Sequence, residues 1–103
     1  MNKEDYPIRI TLLKRFDTRE VFKHPPVKAK YSGPCPIFKE GQAFDVDDSM
    51  PRGFYPYTWN VVFPFIVILR FNGNCFEWYE EPAVVVGCCP DGLKPVVFKI
   101  ELK

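Results

Sequence analysis

The chain has 103 residues, 47% of them hydrophobic and 17% aromatic, with 14 Lys and Arg against 13 Asp and Glu for a formal charge of +1. That length suits one domain over 1–103, and that much apolar side chain can bury a core, which excludes a disordered chain. No basic run exceeds two residues, so nucleic acid, which calls for a clustered positive face, is not an expected partner.

The longest apolar stretch, VVFPFIVIL over 61–69, falls well short of the roughly 20 residues that a membrane helix requires. MNKEDYPIRI lacks the apolar segment of a secretory signal. The expectation is a cytoplasmic protein with no membrane partner. In that compartment the four cysteines are read as reduced thiols rather than bridges.

YPIRITLLKRF (6–16) sets Ile8, Ile10 and Leu12 on one side and Arg9 and Thr11 on the other, the period of a half-buried strand. DTREVFK (17–23) offers Asp17 or Thr18 as a cap with Glu20 behind it, which suits one or two helical turns. From His24 to Pro36, four prolines and a glycine predict an extended, ordered loop.

FKEGQAFDVDD (38–48) reads as a turn at Glu40-Gly41 and a short strand with Phe44 and Val46 inward, Asp45 and Asp47 outward. In MPRGFYPYTWNVVFPFIVILRFNGN (50–74), Pro56 starts a helix and Gly73 ends one. Pro64 interrupts it, since an interior proline costs roughly 3 kcal/mol. The expectation is a kink or two helical pieces, the second beginning near Phe63.

AVVVGCC (83–89), PDGLK (90–94) and PVVFKIEL (95–102) read as two strands about a turn, with Phe98, Ile100 and Leu102 facing the core. Pro90-Asp91-Gly92 supplies the turn, glycine taking positive φ. The whole is an α+β domain: an antiparallel sheet of three to four strands, including the C-terminal hairpin, covered by a proline-interrupted helical segment over about 56–72.

The blocks CPIFKEGQAFDV (35–46), GFYPYTW (53–59), FPFIVILRFNGN (63–74) and CCPDGLKPVVFKIE (88–101) resemble a family of small uncharacterised prokaryotic proteins of about this length, over nearly the whole chain. Cys35 and Cys89 match cysteines of that pattern. Tyr55 stands where many members carry a third, and Cys75 lies outside the pattern. The resemblance implies no particular activity.

Three thiols are the candidate metal ligands, Cys35, Cys88 and Cys89, serving zinc or an iron–sulfur cluster. No CxxC pair occurs, and adjacent strand residues point to opposite faces, so only one of Cys88 and Cys89 shares a site with Cys35 unless a bulge intervenes. The plainer reading is of small core residues, and a redox or nucleophilic thiol is a third. His24, the single histidine, reads as a surface residue, and the acid pairs Asp47-Asp48 and Glu80-Glu81 as solvated charge. Arg70 closes the apolar helical segment, where it would meet the helix carbonyls, pair with an acid such as Asp91, or bind an anion. Trp59 and Trp78 anchor two aromatic clusters, core and rim by default and a partner surface where exposed.

Trp59, Arg70, Trp78 and Asp91 are therefore the candidate binding residues. With no GxSxG, phosphate loop or GxGxxG, the sequence favours a small non-enzymatic binding or accessory module that engages a protein partner or its own copies. The alternative is a thiol-based metal or redox protein.

Overall fold

A computed structural model describes residues 7–47, 49–74 and 76–103. Asp48 and Cys75, half of one acid pair and the fourth thiol, lie outside the described residues. The elements run β1 (Ile8–Arg15), α1 (Thr18–Val21), β2 (Ala43–Val46), α2 (Pro56–Arg70), β3 (Val84–Cys88) and β4 (Val96–Leu102). The strands form one sheet in the order β2-β1-β4-β3, antiparallel throughout.

Alternation sorts the two faces of this sheet. Ile8, Ile10, Leu12, Phe44, Val46, Val85, Val96, Phe98 and Ile100 are buried on the side that carries α2. Leu102, expected inside, is half-buried at the end of β4. The other face carries an ionic row: Arg9 bonds Asp45 at 3.1 Å, Lys103 meets Asp45 at 3.2 Å, and Lys99 meets Glu101 at 3.1 Å. Helix and sheet close on an aromatic centre in which Phe38, Phe44, Phe54 and Phe98 meet at centroid distances of 5.1 to 6.1 Å, several edge to face.

Turn chemistry places the strands. Gly41 takes φ +82° in the turn before β2 and donates its N–H to the Leu12 carbonyl at 2.8 Å. Asp17 caps α1 in a full capping box with Glu20. No regular element lies between Val21 and Ala43, in keeping with the proline-rich run.

The helical segment over about 56–72 is present, and of its two expected forms the two-piece one is excluded: α2 is a single helix from Pro56 to Arg70 with Pro64 inside it. The hydrogen bond that Pro64 forfeits is the one to the Asn60 carbonyl, and both residues lie on the exposed side, away from the sheet. The helix ends in a Schellman motif: Asn72 holds φ 62° and bonds the Leu69 carbonyl at 2.9 Å, while Gly73 bonds the Ile68 carbonyl at 2.8 Å.

Two irregularities shape the sheet's margins. A bulge between Leu12 and Lys14 shifts the register so that Arg15 pairs with Val96 and shares the face of the core residues. At the β3 edge, the Tyr79 hydroxyl lies 3.3 Å from both polar backbone groups of Val86, accepting from its N–H and donating to its carbonyl.

Candidate functional site

The sheet's core face and the N-terminal end of α2 enclose a cleft of ≈ 320 Å³. Cys35, Ile37 and Phe38 line it from the proline-rich loop, Tyr55, Tyr57 and Thr58 from the start of α2, and Cys89, Asp91 and Lys94 from the β3–β4 connection. Cys35 and Cys89 therefore come together at one cavity.

Strand geometry separates the other thiol. Cys88 is opposite Val97 and exposed on the sheet's outer face. Cys89 continues onto the inner face, where its N–H bonds the Val96 carbonyl at 3.0 Å and its sulfur accepts from the Val96 N–H at 3.3 Å. A second, longer contact runs from the Cys89 thiol to the Lys94 carbonyl at 3.9 Å.

The walls are braced from outside. Arg15, turned inward by the bulge, donates from Nη1 to the Cys35 carbonyl at 2.9 Å and lies 4.0 Å from Glu40. Lys94 donates its ammonium to the Tyr31 carbonyl and so ties the proline-rich loop to the β3–β4 connection. Asp91 accepts from the Leu93 N–H at 2.9 Å, the aspartate turn expected of PDG. Gly92 is not among the positive-φ residues, so that turn does not use the freedom glycine offers.

Zinc in a structural site takes four ligands, and iron–sulfur clusters are held by several cysteines. The cleft contributes two thiols, and among the described residues no group of three or more His, Cys, Asp or Glu side chains is placed to hold a metal. His24 is exposed in the proline-rich loop. Glu80 and Glu81 are exposed as well.

Arg70 and Asp91 do not pair. Arg70 lies at the C-terminal end of α2 and donates to the Val46 carbonyl at 3.3 Å, whereas Asp91 lines the cleft at the other end of the helix. A helix of 15 residues separates its ends by about 22 Å. The guanidinium thus ties the helix to β2.

A second surface lies along α2. Thr58, Val62, Ile66 and Leu69 face the sheet. At 100° per residue the opposite stripe carries Tyr57, Asn60, Phe63, Pro64, Val67, Ile68 and Phe71, all exposed and none charged. Trp59 forms one margin, half-buried, with its ring 5.5 Å from Phe63. On the other margin Phe65 meets Phe76, whose ring lies 4.6 Å from Trp78. Phe71 and Trp78 are 67% and 73% exposed. Sequence reading named the two tryptophans but missed this stripe. Its signal was available, since Arg70 is the sole charge between Pro56 and Arg70.

The molecule is thus a two-layer α+β domain with a thiol-bearing cleft at one end of its helix and an uncharged apolar face along it. Compared with protein-family models, curated proteins and solved structures, the chain shows no match. Among the described residues no helix is long and apolar enough to cross a membrane.

Proposed function

We infer that this protein is a non-enzymatic binding module whose docking face is the outer stripe of α2 with the adjoining Trp78. One observation carries the reading: a helix seated on its own sheet presents a second apolar face to water, uncharged from Tyr57 to Phe71. Folding does not require that face, because the core is complete on the other side of the helix. Exposed Phe, Tyr and Trp are the side chains that dominate interface energetics. A photo-reactive amino acid at Val67, compared with one at Lys99 on the polar sheet face, tests this in the source cells. Protein adducts from position 67 alone are expected, and equal or no adducts from both positions would remove the reading.

A second reading is favoured by Cys35 and Cys89 sharing one cleft. Two thiols without a third ligand suit thiol redox chemistry or a soft metal ion of low coordination better than tetrahedral zinc. Metal analysis of protein purified without oxygen, alongside Cys35→Ser, decides the metal branch. Equal, near-zero metal in both ends it.

A further inference from the structure

We propose that the occupant of the α2 face is a second copy of this chain, joined in a two-fold dimer with the two α2 helices packed across the axis. This rests on the docking reading above and supplies its partner.

The first argument is self-complementarity. In a two-fold interface the same patch meets itself, and residues near the axis meet their own copies. A charged residue at the centre would face its like at short range. The stripe has none: Asn60 is its one strongly polar side chain, and the residues at its middle are Pro64 and Val67. Arg70 is drawn off the stripe by its bond to the Val46 carbonyl. A different partner would ordinarily be selected by charge pattern at the contact. This face offers no such pattern, although the chain carries 27 charged residues elsewhere, 14 basic and 13 acidic.

The second argument is area. Tyr57, Phe63, Phe71 and Trp78 are 66%, 45%, 67% and 73% exposed, with Val67 and Ile68 between them at 38% and 39%. Weighting 150–250 Å² per aromatic side chain by these exposures, and adding the two aliphatic residues, gives a patch on the order of 600 Å². A standard interface buries about 800 Å² per partner, while most monomers expose no contiguous apolar patch beyond a few hundred. One helix face plus Trp78 therefore nearly fills one side of a standard dimer.

Packing supports the helix as the contact. Two helices crossing ridge into groove approach to about 8–10 Å, which needs a stripe free of long charged side chains. Small and medium residues at the middle, Pro64 and Val67, with Phe63 and Phe71 to either side, supply that profile.

Analytical ultracentrifugation of the full chain, from low micromolar to about 1 mM, is the test. The expected result is a mass twice the 12.0 kDa of the chain at high concentration, weakened at least tenfold by Val67→Glu, whose far-UV circular dichroism should match wild type because the position is exposed. A second measurement uses Val67→Cys in a Cys88→Ser background, where mild oxidation should yield a covalent dimer and Glu20→Cys in the same background should not. A monomer at every concentration overturns the proposal, as does a dimer that Val67→Glu leaves intact. If the purified chain is monomeric while a photo-reactive residue at 67 captures a different protein in cells, the dimer falls and the docking face stands. If it is monomeric and position 67 captures nothing, both fall.

Discussion

The guanidinium of Arg15 donates to the backbone carbonyl of Cys35 across 2.9 Å, fastening the first strand to the loop that walls the cleft. A charged donor on a partly buried carbonyl contributes about 1.5–3 kcal/mol. Arg15→Met, which keeps much of the packing, should lower unfolding free energy by about 1–2 kcal/mol, in line with that range. It should also speed alkylation of Cys35 without changing that of Cys88. Unchanged Cys35 kinetics would mean that the loop is held by other contacts.

Gly73 closes the helix where no side chain fits. A Cβ there would lie 2.9 Å from Ile68 Cγ2 and 3.0 Å from the Ile68 carbonyl oxygen. Gly73→Ala should cost about 1–3 kcal/mol, as overpacking does. Pairing it with Ile68→Ala should recover part of that cost, because one of the two clashes is with a side chain. Strict additivity in denaturant titrations of the four proteins would refute the steric account.

Pro64 is tolerated rather than needed by the helix. Pro64→Ala restores the N–H for the Asn60 carbonyl, and helix propensity favours alanine by about 3 kcal/mol. The unfolded chain gains freedom worth about 0.4–1 kcal/mol against it. A net stabilisation of about 2–2.5 kcal/mol is expected from these opposing effects, read as a raised thermal midpoint. A fall in midpoint would show that the proline shapes the helix.

Phe38 belongs to both core and cleft: it is 1% exposed and meets Phe44, Phe54 and Phe98. Phe38→Ala should cost about 3–5 kcal/mol. It should also enlarge the cleft, so that Cys35 and Cys89 both react faster with a neutral thiol reagent under native conditions. A loss under 1 kcal/mol would contradict the packing described.

Asp45 gives the sheet's polar face a pH dependence. Hydrogen bonds from Arg9 first, then Lys103, hold its carboxyl below the ordinary 3.8. A carboxyl with a lowered folded-state pKa stabilises the fold above its unfolded value, and the effect is lost as pH falls through the folded one. Arg9→Gln should therefore lower stability more at pH 7 than at pH 2, and high salt should shrink the gap because the pair is exposed. A gap that is constant with pH would assign the effect of Arg9 to packing.

Most of the sheet was legible because period-two alternation is a local signal: Ile8-Ile10-Leu12, Phe44-Val46 and Phe98-Ile100 each point to one side. The ends of α2 were legible too, through Pro56 and Gly73. Its continuity was not, since the local cost of Pro64 is visible in sequence but the packing of Val62, Ile66 and Leu69 on the sheet, which holds the helix together across it, is not. The role of Arg15 was hidden by the bulge: unbroken alternation places Lys14 inward and Arg15 outward. The adjacent apolar pair Leu12-Leu13 was the one hint of a slip. The meeting of Cys35 with Cys89, 54 positions apart in sequence, depends on how the loop folds back, which no local pattern encodes.

Tyr79 bears on how copies of this protein can meet. Sheets add strands at their edges through unpaired backbone groups, and such growth has no natural end. Along β3 the central residue, Val86, spends both of its groups on one phenolic oxygen, and at the far edge β2 is only four residues long. Association through the sheet is thereby discouraged at both margins, which leaves the helical layer as the open route. A face that meets its own copy is used up by a single encounter. A chain that pairs through its aromatic helical face, as proposed above, would stop at a pair instead of extending into a fibre.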